Sequence, residues 1–268
     1  MANTLHSLSR SAANNKSDVL KGTPHDDVLH GSLGHTTFYG GLGDDIYYSK
    51  NADDTIVEYA NEGNDTVYAD TTFTLPTHVE NLTLEGNGNT FGFGNNSNNI
   101  LIGNSGNNRL SGEEGNDFLY GMGGNDTLSG GNGNDHLNGG DGDDYLAGGL
   151  GSDTIITGAG RDTVAFTAAD IREGSIDRLL DFNPETDKLD LSGMRSLLTG
   201  SNANLSWSKM FVYKDPEVIL QKDHPYLIFD TEQQTLAYRA AGSSSSTVFA
   251  KFDSDDPSKW LDASNIIG

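Results

Sequence analysis

Between Gly94 and Ala165, aliphatic residues return at every ninth position: Leu101, Leu110, Leu119, Leu128, Leu137, Leu146, Ile155 and Val164. Their neighbours on both sides are mostly polar, such as Thr127 and Ser129, His136 and Asn138, and Thr154 and Thr163 in the adjacent unit. This alternation predicts a three-residue strand whose middle side chain faces inward while its neighbours face water. The other six residues of each unit are rich in glycine, asparagine and aspartate. They predict a turn in which glycines supply backbone angles that a Cβ would resist. Eight units run without insertion, and those from Gly112 read GEEGNDFLY, GMGGNDTLS, GGNGNDHLN, GGDGDDYLA and GGLGSDTII. A nine-residue period with this glycine pattern fits neither a helix nor an ordinary hairpin; it predicts a solenoid.

A three-residue strand buries almost nothing alone. Two units, eighteen residues, make one coil with a strand in each of two sheets, and coils stack by parallel pairing about 4.8 Å apart. Leu119, Leu137 and Ile155 then form one apolar column, and Leu128, Leu146 and Val164 the other. Each buried side chain contributes roughly 1.5–3 kcal/mol. Ordering nine residues costs about 1–2 kcal/mol each for the backbone alone. A core one side chain deep is therefore not enough, and something else must hold the turns.

The sixth position offers it: Asp117, Asp126, Asp135, Asp144, Asp153 and Asp162. Stacking places Asp117, Asp135 and Asp153 along one edge and Asp126, Asp144 and Asp162 along the other. Carboxylates in a column repel unless a cation lies between them. Calcium takes 6–8 oxygens at about 2.3–2.6 Å and accepts backbone carbonyls, which glycine-rich turns expose. There is no cysteine, and His136 is the one histidine in the regular block, so zinc and softer metals are poorly supplied.

These units resemble the RTX, or hemolysin-type, calcium-binding nonapeptides of proteins exported by Gram-negative type I secretion. The resemblance implies a parallel β-roll with calcium ions between turns two units apart. It also implies ligands from the sixth-position aspartates and from turn carbonyls. On this chain those carbonyls are Gly121, Gly123, Asn125, Gly130, Asn132, Asn134, Gly139, Asp141 and Asp143. The first two units depart from the pattern, with Asn99 and Asn108 in place of aspartate, and weaker sites are expected there. Without calcium the repeats are expected to be disordered.

Lys+Arg 16 against Asp+Glu 39 leaves a net charge of −23, which argues against nucleic acid and anionic membranes as partners. Self-repulsion would also keep a metal-free chain open. Glycine accounts for 34 of 268 residues, well above the usual share of about 7%. With no cysteine, calcium would take the role of disulfide staples. No apolar run approaches the ~20 residues that cross a bilayer. The start, MANTLHSLSRSAANNK, lacks the apolar stretch of a Sec signal peptide, so residues 1–21 read as a flexible leader.

Residues 22–93 read as an imperfect block. GTPHDDVLH, GSLGHTTFY, GGLGDDIYY and SKNADDTIV place Asp27, Thr36, Asp45 and Asp54 at the sixth position. Asp27 and Asp45 are eighteen apart and could share an ion, whereas Thr36 interrupts the other edge. Asp65 follows Asp54 by eleven residues, and the excess of two predicts a bulge or a wider turn. FTLPTHVENLTLEG alternates around Phe73, Leu75, Leu82 and Leu84 and resembles spacer segments of long exported adhesins. It should continue the solenoid with wider, calcium-poor coils.

Beyond the regular roll of residues 94–165, residues 166–268 predict a cap. SIDRLLDFNPETDKLDLSG, followed by a short helical MRSLL, resembles the segment after the roll in serralysin-type proteases and alginate epimerase R-modules. Asp177, Asp181, Asp187 and Asp190 either offer a further calcium site or are solvated strand ends. HPYLIFDTEQQTLAYRAAG reads as a hairpin. Trp207, Phe211, Phe229, Tyr238, Phe249 and Trp260 supply larger core residues than the roll can hold. The fold class is thus all-β: a parallel β-roll with a C-terminal β-sandwich-like cap. The end, KWLDASNIIG, resembles the tail of type I secretion substrates.

No zincin, nucleophile-elbow or phosphate-loop motif occurs, and there is no cysteine nucleophile. The leading expectation is a secreted, extracellular, non-catalytic protein binding several calcium ions, with a type I exporter as partner and any catalytic domain outside this chain. The alternative is a carbohydrate-active or polysaccharide-binding module, which would need exposed aromatics on one sheet face. Tyr47, Tyr48, Tyr120 and Tyr145 are its candidates.

Overall fold

The computed structural model describes residues 3–6, 18–195, 197, 211–213, 225–230, 232–243, 245–253 and 265–267. Its strands stack as parallel coils of a β-solenoid. In the regular block the register advances by eighteen residues per coil, because two nine-residue units return the chain to the same sheet. Leu101 pairs with Leu119, Leu119 with Leu137, and Leu137 with Ile155. In the facing sheet Leu110 pairs with Leu128, Leu128 with Leu146, and Leu146 with Val164. All eight side chains are fully buried, so the core is the expected double column, one residue deep.

One sheet of fourteen strands runs from Asn3–His6 to Phe211–Tyr213 along the molecule. The opposite face is divided. A three-stranded sheet, Asp18–Lys21, Thr36–Tyr39 and Thr55–Val57, faces the first coils. An eight-stranded sheet begins at Phe73–Thr74 and ends at Ile266–Ile267. The division falls where the nine-residue period fails. Ile46 pairs with Thr66 twenty residues on, Thr66 with Asn81 only fifteen on, and Asn81 with Ile100 nineteen on. The two-residue excess before Asp65 does widen a turn, at Tyr59–Glu62, where Asn61 has a φ of 66°. The wider spacer coils expected from the sequence are not uniform: the coil from Thr66 to Asn81, which contains Pro76, is three residues shorter than a regular one. The core compensates with bulk: Phe38, Tyr47 and Phe73 fill space that leucines fill in the regular roll.

The roll continues into the cap. Leu179 pairs with Ile155 and Leu189 with Val164, extending both columns. The expected hairpin is Tyr226–Asp230 with Thr235–Arg239, antiparallel, and Thr247–Phe252 joins it to the long sheet beside Asp177–Leu179. Phe249 stacks edge-on against Phe166, and Phe252 against Phe182 and Phe229. Ile266 and Ile267 add a last parallel pairing beside Leu189 and Asp190. Trp207, Trp260 and part of the MRSLL stretch lie outside the described residues, as does the side chain of Phe211. A helix at Ala168–Glu173, unforeseen from the sequence, follows the last repeat. Its capping box pairs Thr167 with Asp170, and Gly174 closes it at a φ of 80°.

Candidate metal centre

Each regular unit brings its sixth-position carboxylate to the same place. The chain reaches it through glycines in left-handed backbone, such as Gly133 at φ 135° and Gly142 at φ 141°. A Cβ at either would collide with the carbonyl of the glycine one coil earlier, so no other residue fits. The carboxylates then form two ladders. The Asp117 amide donates to Asp135 Oδ1 (2.8 Å), that of Asp135 to Asp153 Oδ1 (2.8 Å), and that of Asp153 to Asp177 Oδ1 (2.9 Å). On the other edge the Asp126 amide donates to Asp144 Oδ1 (2.7 Å), Asp144 to Asp162 (2.9 Å), and Asp162 to Asp187 (3.2 Å).

One oxygen of each carboxylate is thereby used. The second oxygen, Oδ2 of Asp117, Asp126, Asp135, Asp144 and Asp162, is buried and accepts no hydrogen bond from the protein. Leaving an ionised oxygen buried and unpaired is costly. The cost shows in titration. Burial first, with neighbouring carboxylate charges adding to it, pushes Asp117, Asp126 and Asp162 up to about 7. Burial likewise lifts Asp135 to about 6 and raises Asp144.

The first glycine of each unit shapes the space beside these oxygens. A Cβ on Gly112 would fall within 2.6 Å of both Asp117 Oδ2 and the Gly130 carbonyl oxygen. Gly121 holds the same place towards Asp126 and Gly139, and Gly130 towards Asp135 and Gly148. A carboxylate and a carbonyl oxygen thus converge where a side chain is missing. The donor set is hard and anionic, carboxylate and carbonyl oxygens with no nitrogen or sulfur, which is the chemistry calcium takes. It fits calcium.

The other expected carbonyls are placed differently. Those of Asn132 and Asp141 accept amides of Gly115 and Gly124, both at 2.9 Å, which leaves one lone pair each. Gly123 bridges Asp141 across the coils. Asn125, Asn134 and Asp143 have a role the sequence reading missed. Their side-chain oxygens accept the amides of Asp143, Ser152 and Arg161 one coil later, at 2.8–3.0 Å. The fifth position is therefore an exposed ladder parallel to the buried one, signalled only by repeated Asn-Asp pairs.

Asn99 and Asn108 occupy the sixth position of the first coil and have no orphan oxygen. Their Oδ1 atoms accept the amides of Asn95 and Asn104, both at 2.7 Å. Their Nδ2 atoms donate to the carbonyls of Glu80 (3.1 Å) and Thr90 (3.2 Å).

In the imperfect block, the Asp27 amide donates to Asp45 Oδ1 (2.7 Å) and that of Asp45 to Asp65 Oδ1 (2.8 Å). Asp27 Oδ2 is taken by Thr23, and Asp54 by Thr36, Ser49 and neighbouring amides. Asp45 and Asp65 keep an unpartnered Oδ2 and are joined by Glu58, which the sequence reading missed. In the cap Asp181 and Asp187 meet at the Thr157 hydroxyl, near Asp162, while Asp177 lies on the other ladder and Asp190 makes separate contacts. Asp177 and Asp187 terminate the two ladders, and burial with the Asp153 charge pushes Asp177 up to about 8. Asp181 accepts the amides of Thr157 and Gly158, and Asp190 accepts from Ser192 and the Tyr145 hydroxyl.

The RTX calcium-binding nonapeptide repeat model, in four copies, matches residues 21–56, 93–128 and 129–164. The chain carries RTX calcium-binding repeats. The matched segments contain every orphaned sixth-position oxygen except that of Asp65. Among solved structures, the solution structure of the AlgE6R3 subunit from the Azotobacter vinelandii mannuronan C5-epimerase is similar at 23% identity. That alignment covers 65% of this chain and 80% of that one, with a TM-score of 0.28. No curated protein matches. No helix among the described residues is long and apolar enough to cross a membrane.

Proposed function

We propose that this chain is a secreted, non-catalytic calcium-binding roll that folds as ions enter and leaves its cell unfolded through a type I exporter. The observation that carries the reading is the double column of buried, unpartnered carboxylate oxygens inside matched RTX repeats. Asp117, Asp126, Asp135, Asp144, Asp153 and Asp162 would hold the ions, with turn carbonyls such as Gly130 and Gly139. Asp27 and Asp45 extend one edge into the first block. Without a cation the columns repel and the thin core cannot offset chain entropy. Ion binding then becomes folding free energy.

Low cytosolic calcium would keep the chain threadable, and extracellular calcium would fold it as it emerges. Residues 166–268 would act as a cap carrying the secretion signal, and residues 1–93 as an accessory block. Of the aromatic candidates for polysaccharide binding, Tyr47 is buried in the core, Tyr48 is sandwiched between His30 and Tyr68, Tyr120 lies beside His136, and Tyr145 is exposed and bonds Asp190. A secretion assay tests the export step. A passenger fused to residues 208–268 should leave a strain carrying an active type I exporter, and one fused to residues 1–93 should stay inside. The reverse pattern overturns the export reading and leaves calcium binding standing.

A further inference from the structure

The wide turn of the imperfect block departs from the repeat twice in one place. For each first-position glycine from Gly94 to Gly130, the residue eighteen positions on is another glycine, whose carbonyl lies beside the preceding coil, as Gly130 does for Gly112. Tyr39 pairs with Val57, so Gly40 should face a glycine at position 58. Glu58 stands there instead. The two extra residues at Tyr59–Glu62 give it room, and the register beyond advances by twenty.

The result is a carboxylate where the repeat supplies a carbonyl. A Cβ on Gly40 would collide with Asp45 Oδ2, Glu58 Oε1 and the Tyr47 hydroxyl together. Ligand oxygens of Asp45, Glu58 and Asp65 all lie within 4.8 Å of one another, the one such group of three among the described residues. Glu58 is 7% exposed, and Asp45 and Asp65 are fully buried. Glu58 Oε2, Asp45 Oδ2 and Asp65 Oδ2 accept no hydrogen bond, although the Tyr47 hydroxyl donates to Glu58 Oε1. Three buried carboxylates stand together, each with one oxygen that accepts no hydrogen bond, and none of them forms an ion pair with a lysine, arginine or histidine among the described residues.

We infer that Asp45, Glu58 and Asp65 form a separate calcium site, built from side-chain carboxylates. It differs from a repeat site in its charge: three carboxylates where a repeat turn offers carboxylates diluted by neutral carbonyls. It therefore holds its ion more tightly than the roll does and fills first. The inference stands apart from export and from folding of the regular roll.

The test is calorimetric titration of the EGTA-stripped full chain with calcium chloride, comparing wild type, Glu58→Gly and Asp135→Ala. Glu58→Gly restores the residue the repeat carries here. It should lose one ion of the tightest class, or bind it at least tenfold more weakly, while Asp135→Ala keeps that class. Glu58→Gly folded at saturating calcium, with the same number of ions and the same affinities as wild type, would overturn the site. If Glu58→Gly does not fold, Glu58→Gln decides on the same criterion. A wild type that binds no calcium would fail the repeat reading as well, which separates the two failures.

Discussion

The coil carrying Asn99 and Asn108 and the coils carrying Asp117 to Asp162 have the same stacking and the same buried column of leucines. They differ in what closes the sixth-position side chain. Asparagine brings its own donor, which finds the carbonyls of Glu80 and Thr90, so that turn is complete without an ion. Aspartate spends one oxygen on an amide of the preceding coil and leaves the other buried and bare. On the function proposed above, the calcium requirement would come from a single atom per turn. Glycines and leucines set the shape in both regions; on the proposed function the acid decides whether the shape can exist alone.

The largest break in that comparison should come from the middle of a ladder. Asp135 and Asp144 each lie between in-register acids and can serve two ions. Asp135→Ala or Asp144→Ala should weaken calcium-induced folding by at least about 10–100-fold, the range lost when a mere supporting residue is removed from a metal site. Asn108→Ala should barely move it. Calcium titrations followed by circular dichroism measure all three, and equal losses would contradict pairing two units apart.

A smaller effect should come from protons. Asp117, Asp126 and Asp162 rise from the ordinary 3.8 to about 7 in the metal-free fold. Between about pH 4 and 7 the folded form then holds protons that the unfolded chain has released, so its stability falls as pH rises through that window. In EGTA, acidification from pH 7 towards 4.5 should recover β structure, while calcium affinity should weaken because ions must displace those protons. A β signal that falls on acidification in EGTA would contradict the buried, bare carboxylates.

The smallest change is Asn108→Asp, which moves the first coil into the other class. It should add about one bound ion and make that coil calcium-dependent. Calorimetric stoichiometry reads it, and an unchanged ion count would show that the acid alone does not make a site.

Much of this was legible in the sequence because a nine-residue period fixes register. Leu101 to Val164, the two edges and the eighteen-residue stacking follow from it directly. The hairpin at Tyr226–Arg239 was also plain, since two apolar strands flank a polar turn. What stayed hidden lay where the period fails or where a residue works through its backbone neighbour. Glu58 became visible only once Tyr39 was paired with Val57, because the widened turn obscures its glycine position. Tyr47 looked like a surface aromatic, but its strand parity turns it into the core. The helix at Ala168–Glu173 is too short for an apolar period to show, although Thr167, Asp170 and Gly174 marked its two ends. Asn99 and Asn108 were readable as weak sites. That their amides are closed by the protein itself depends on partners a whole coil away.

The roll should require its ions to hold its fold. Amide hydrogen exchange of the full chain, resolved along the sequence in millimolar calcium and then in EGTA, tests this. Residues 109–165 should be protected with calcium and should exchange at unfolded rates without it, and magnesium should not restore protection. Equal protection of residues 109–165 in calcium and in EGTA would contradict the account.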